Sequence, residues 1–208
     1  MYYPSKSEFI KLAKRGNLIP VHKEIIADVE TPVSAFKKIE GAHSYLLESV
    51  EGGEKVGRYS FLGSDPILIV KAKGNNIDII SKGKKIKLKG DPINTLKKVL
   101  SRYKPVKIKG LPRFHGGLVG YLSYDMVRHI EELPDKNPDD LKLPDMQFLL
   151  TDTILAFDHI NHKIIIISNA VVDDNPAKAY ESAVKKIKSL EKRLSRKAKG
   201  LSELEVRE

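Results

Sequence analysis

Apolar residues along this chain recur at two spacings, and the two spacings alternate from one end to the other. Phe9, Leu12 and Ala13 fall three to four positions apart behind a Ser5-x-x-Glu8 opening. That pattern predicts a helix over 5–15, opened by a capping box and stopped at Gly16. Three more helices are announced by a polar cap followed by proline: Thr31-Pro32, running to about Ile39; Asp91-Pro92, through Leu96, Val99 and Leu100; and Asn175-Pro176. Proline suits the first helical position because the N–H it lacks has no partner there. The last of these carries Tyr180, Val184, Ile187, Leu190 and Leu194 on one face, the stripe of a long amphipathic helix.

Between the helices the period shortens to two. Residues 18–27 alternate as a strand, and 66–73, 76–81 and 84–89 form a meander punctuated by Gly74-Asn75 and Gly83. Residues 146–158 and 163–169 form a hairpin around Asn161-His162. The tract 104–111 and the polar segment 135–140 read as loops, and 195–208 as a frayed helix end or linker. Helices and strands in this order predict an α+β fold with largely antiparallel sheets packed with helices.

Composition narrows the function classes. The 208 residues suffice for a substantial core, as one domain or two. The apolar runs 67–70 and 164–167 are far short of the ~20 residues a membrane span requires. The opening MYYPSKSEF lacks the basic flank and apolar stretch of a secretory signal. Cysteine is absent, which excludes disulfides, thiol chemistry and cysteinyl metal sites, and a cytoplasmic location is the resulting expectation. The net charge of +10 raises the question of nucleic acid. The surplus is mostly lysine, however, and its densest cluster, Lys82–Lys89, alternates with Ile86 and Leu88. This is the pattern of a half-buried edge hairpin whose lysines discourage edge pairing. Arginine is scarce where bidentate base contacts would require it.

The stretch Ser44–Gly63 carries the candidate chemistry. Tyr45 and Leu47 begin an alternating strand, Gly52-Gly53 supplies a connection, and Arg58, Tyr59, Ser60 and Phe61 form a second strand rich in aromatics. Glu48, Ser49, Arg58 and Ser60 interrupt positions that strands normally give to apolar residues, and half-buried polar groups must find partners. They suggest a small polar pocket between paired strands; a hairpin with ordinary solvent-facing polar residues is the alternative.

Three blocks in this order resemble the N-terminal region of anthranilate synthase component I. They are LLESVEGGEKVGRYSFLG, the segment GGLVGYLSYD beginning at Gly116, and the segment Leu143–Ala170 with its LPD, DT and FDH groups. The resemblance implies a sandwich of two packed sheets, with residues 1–195 as the N-terminal regulatory domain. Residues 196–208 would be a linker or the start of a catalytic domain, whose chorismate- and magnesium-binding residues lie beyond this chain. It implies that the Leu47-Glu48-Ser49 motif binds tryptophan, the feedback inhibitor, with Arg58, Tyr59 and Ser60 as further ligand groups. Residues two apart share a strand face, so Leu47 would line the indole and Ser49 would hydrogen-bond the ligand. Glu48 would reach the ligand at a strand end or bulge, or would pair with Arg58. Tyr59 and Phe61 read better as core aromatics than as stacking groups.

For the whole enzyme the resemblance implies conversion of chorismate to anthranilate, with Mg2+ and with ammonia from a glutamine amidotransferase component II. The chain alone would be inactive and would bind no cofactor. Aminodeoxychorismate synthase component I, and a stand-alone small-ligand-binding domain, are the alternatives. A half chain would also leave apolar sheet edges or faces without partners.

The remaining features point to structure. Gly116-Gly117 with Gly120 lacks the sequel of a phosphate-binding loop and fits close backbone packing in a strand. Asp125 reads as an N-cap for a helix over 126–132. His159 and His162 flank a turn without the carboxylate that would complete a metal set, and His22, His43, His115 and His129 are scattered.

Overall fold

The computed structural model describes residues 1–27, 30–48, 57–134 and 138–196. They form two compact units, each drawn from separated stretches of chain. The first comprises residues 1–65, 105–116 and 153 onward, and the second 66–104 and 117–152.

In the first unit the helices are α1 (Lys6–Leu12), α2 (Pro32–Ile39) and α4 (Pro176–Leu194), and the strands are β1 (Leu18–Ile26), β2 (Ser44–Leu47), β3 (Tyr59–Ser64), β9 (Thr153–Asp158) and β10 (Lys163–Val171). The capping box at Ser5 and Glu8 forms as the sequence requires, and Thr31 and Asn175 each accept a backbone N–H at the start of their helices. The strands make one antiparallel sheet in the order β1-β10-β9-β3-β2.

Both faces of this sheet are covered, which is why β10 reads as a near-continuous run of isoleucines. Ile164 and Ile166 face a core completed by Phe9 of α1, Ala35 and Ile39 of α2, and Ile187 of α4. Ile165 and Ile167 face a second cluster that includes Leu111 and Phe114. The tract expected to be an exposed loop is therefore partly interior. Val106 is buried in the first core beside the helices, Leu111 packs against the second face, and Pro105 bridges to Leu18.

The second unit contains β4 (Leu68–Lys73), β5 (Asn76–Ser81), β6 (Lys84–Lys89), α3 (Pro92–Leu100), β7 (Gly117–Leu122), a 3₁₀ turn at Tyr124–His129, and β8 (Met146–Thr151). Its antiparallel sheet runs β6-β5-β4-β8-β7. Val70, Ala72, Ile77 and Met146 line one face, with Leu96 of α3 and Met126 of the turn packed on them.

Four expectations are corrected. The stretch 146–158 is two strands rather than one: β8 and β9 belong to different sheets, and the chain passes between them at Asp152. β6 is exposed along its whole length rather than half-buried, including Ile86 and Leu88, and it is the edge strand of its sheet. The predicted helix over 126–132 is the 3₁₀ turn instead. Asp125 lies inside that turn, paired with Arg128 at 2.9 Å, and Ser123 holds the cap position.

Among the described residues, no helix is long and apolar enough to cross a membrane.

Candidate functional site

β2 and β3 pair with Leu47 opposite Phe61 and Tyr45 opposite Gly63. Alternation then puts Tyr45, Leu47, Tyr59 and Phe61 on one face of the sheet and Leu46, Ser60 and Leu62 on the other. Gly63 is the seat of Tyr45: a Cβ there would lie 2.5 Å from the tyrosine ring. An aromatic laid across a strand glycine fixes register without a side chain of its own at that position. Phe61 meets Phe114 edge-on with centroids 5.2 Å apart, and Tyr59 leans on Phe61 at 5.9 Å.

Toward the end of these strands the apolar face opens. Leu47 is 46% exposed, Tyr59 is half-buried, and the Arg58 guanidinium lies 4.9 Å above the Tyr59 ring. Glu48 follows, exposed, just beyond β2. The result is a half-open apolar shelf with charged groups at its rim.

The polar residues beside the shelf have specific partners. Arg58 donates to Asp158 through Nε at 3.0 Å and through a terminal nitrogen at 2.7 Å, a bidentate pair. The same carboxylate accepts from the backbone of Ile160 and Asn161 and from the Asn161 amide at 2.8 Å, closing the turn between β9 and β10. Burial pushes the Asp158 carboxyl up, but the hydrogen bonds from Arg58 and Asn161 outweigh it and hold the group far below the ordinary carboxylate range. Hydrogen bonding to Asp158 raises Arg58 in turn, and burial raises the Tyr59 phenol. On the opposite face, Ser60 is buried with its hydroxyl 2.8 Å from His159 Nε2.

The structure thus sorts the predicted site residues. Leu47 and Tyr59 share a face and form the shelf. Arg58 is held by Asp158, so its carboxylate partner is Asp158 rather than Glu48. Ser60 faces away from the shelf and is used by His159. Phe61 packs against the core as expected, whereas Tyr59, expected there too, is half-buried on the open shelf. Ser49, Gly52 and Gly53 lie outside the described residues. Sequence reasoning missed Asp158 and His159 as partners of the Arg58–Ser60 strand. The available signal was an Asp three residues ahead of Asn161, the spacing of an aspartate that caps its own turn.

Elsewhere, Gly120 meets the close-packing expectation. A Cβ there would fall 1.9 Å from the Gln147 carbonyl oxygen. Gly116 and Gly117 adopt φ of 141° and 129°, a conformation that disfavours any side chain. Among the described residues, no group of three or more His, Asp or Glu side chains gathers as a metal cage.

Comparison with known proteins agrees with this architecture. The profile of the family described as chorismate binding enzyme matches residues 42–207. Anthranilate synthase component 1 of Acetivibrio thermocellus is 43% identical over 196 residues, covering 93% of this chain and 40% of that protein. The Aquifex aeolicus protein of the same name is 36% identical over 205 residues, covering 97% of this chain and 41% of its own length. The crystal structure of anthranilate synthase component I from Streptococcus pneumoniae superposes with a TM-score of 0.54 at 29% identity, over 82% of this chain and 36% of that one. The chain therefore spans about two-fifths of the length of the curated relatives it matches.

Proposed function

Since the chain belongs to the family of chorismate binding enzymes, we propose that it is the tryptophan-sensing N-terminal part of an anthranilate synthase component I. In this reading the larger protein converts chorismate to anthranilate, using Mg2+ and ammonia from a glutamine amidotransferase component II. This chain supplies feedback control rather than bond-making. Apolar side chains left exposed in the second unit, among them Tyr124, Ile130 and Leu141, would be covered by the rest of that protein.

One observation carries the sensor reading: the open shelf of Leu47 and Tyr59 stands next to Glu48, while Arg58 is already held by Asp158. A zwitterionic aromatic amino acid needs an apolar wall for its ring, an acceptor for its ammonium and donors for its carboxylate. Leu47 and Tyr59 form the wall, Glu48 accepts from the ammonium, and the Ser49 hydroxyl donates to the carboxylate. Arg58 and Ser60 act behind them by fixing β3 to β9. Inhibition follows if tryptophan binds better to a conformation that holds chorismate poorly, and the coupling is then reciprocal.

The chain contains no tryptophan, so the ligand's own fluorescence, excited to the red of the eight tyrosines, reports binding to the chain alone, and calorimetry serves for any longer product. Titrations of the chain alone, and of the product of its whole reading frame, are expected to saturate. Ser49→Ala and Glu48→Gln should each weaken binding at least about tenfold, a loss of ~1.4 kcal/mol. Equal affinity in wild type and both variants, or no binding by the whole product, overturns the proposal.

A further inference from the structure

At the other edge of the first unit's sheet lies a groove that the tryptophan shelf does not use. It opens where β1 is capped by the N-terminal arm: Tyr3 and His22 exchange both backbone hydrogen bonds, at 2.9 and 2.7 Å. In the strand order β1-β10-β9-β3-β2 this edge is four strand spacings from β2. At ~4.8 Å per spacing the two places are about 19 Å apart. The groove has a volume of about 460 Å3, within the usual range for small-molecule sites.

Its lining divides by chemistry. Tyr3, Pro4, Leu12 and Ile108 supply apolar surface, from the arm, from α1 and from the 105–116 segment. Lys11 and Lys109, both exposed, stand at the mouth. Glu8, the one acid in the lining, is occupied by the capping box, accepting from the Ser5 N–H and hydroxyl. The lining therefore carries two cations against one carboxylate, whose Oε2 already accepts from Ser5.

His22 lines the groove with only 7% of its surface exposed, its ring 5.8 Å from that of Tyr3. Its Nδ1 is shut off from solvent and has no hydrogen-bond partner. A buried polar atom in that state carries a desolvation cost that a hydrogen-bond partner relieves. Burial holds the imidazole below its ordinary pKa, with Glu24 opposing and Lys163 reinforcing that shift. The ring is thus neutral at pH 7.

We propose that this groove binds a small organic anion with an apolar body, of the aromatic carboxylate class. The body lies against Tyr3, Pro4, Leu12 and Ile108, the carboxylate is held between Lys11 and Lys109, and His22 forms the floor. This site is independent of the tryptophan reading and stands whether or not that reading does.

Benzoate is the probe, with benzamide as its uncharged counterpart, followed on the whole chain by the NMR signals of the His22 ring. Benzoate should shift those signals saturably and raise the ring's titration midpoint, since a negative charge added nearby favours the imidazolium and opposes Lys163. Benzamide should bind at least tenfold more weakly. Lys11→Glu with Lys109→Glu should weaken benzoate at least tenfold, while the matched reversal Lys14→Glu with Lys107→Glu, on exposed lysines outside the groove lining, should leave it unchanged. The proposal is overturned if benzoate produces no saturable His22 shift, if benzamide binds equally well, or if both double reversals weaken benzoate alike. The last outcome would show only a general response to net charge.

Discussion

The Asp158 carboxylate accepts from Arg58 twice and from the turn that follows it three times, while its side chain is only 1% exposed. Removing it leaves a guanidinium that is one-third exposed and recovers water in part, and it leaves the turn uncapped. Asp158→Ala should therefore cost about 3 kcal/mol, toward the lower end for breaking a buried pair, read as a lower urea midpoint. Because the folded-state pKa of this carboxyl is depressed, its contribution is fully present above the unfolded value near ~3.9 and is lost only as pH falls below that. Wild type should accordingly lose stability steeply below about pH 4, and Asp158→Asn should lose less over the same window. This carboxylate also shows which partners of its neighbours are invisible in the sequence. Arg58 and Ser60 stand out as polar residues in an aromatic strand, and a ligand is the natural explanation when no partner is in sight. Their partners lie 100 and 99 positions away. Nothing local announces such a pairing, whereas the shared face of Leu47 and Tyr59 follows from strand alternation alone once the register is known.

At the scale of elements, legibility tracks how local the causes are. The four α-helices are fixed by side chains within a few positions of their ends, and Ser5, Thr31, Asp91 and Asn175 each cap as the sequence predicts. The β4–β6 meander is set by its two glycine turns. The failures share another origin. That β8 and β9 part company at Asp152, and that Tyr124–His129 closes as a 3₁₀ turn, depend on which sheet each segment joins. Gly120 shows both sides. Its need for close packing is readable, while the atom it approaches, the Gln147 carbonyl oxygen, is set by the β7–β8 register. That contact is backbone and cannot rotate away, so Gly120→Ala must separate the strands locally. We expect a loss of about 3 kcal/mol, at the upper end for overpacking, with faster amide exchange confined to β7 and the facing residues of β8. Gly63→Ala meets first the movable ring of Tyr45 and should cost less, since a side chain can shift where backbone cannot.

At the scale of the whole chain the two units make different demands on chain length. The first closes β1 against β10, pairing Leu18 with Val171, and β3 against β9, pairing Tyr59 with Asp158. Strand β10, which pairs with both β1 and β9, and the unit's longest helix, α4, are the last elements of the described chain to appear. The second unit is complete by residue 152 and pairs β4 directly with β8. A chain ending at residue 162 lacks β10 and α4, so β1 and β9 each lose a neighbour and the core loses Ile164, Ile166, Ala183 and Ile187. The hydrophobic term for three or four buried aliphatic side chains, at about 1.5–3 kcal/mol each, is comparable with the net stability of an ordinary domain. Such a truncation should abolish protection in residues 1–65 and 153–162. It should leave slow amide exchange in 66–104 and 117–152, where every strand keeps its partner. Hydrogen exchange read by mass spectrometry distinguishes this outcome from the uniform loss of protection expected if the two units fold only together.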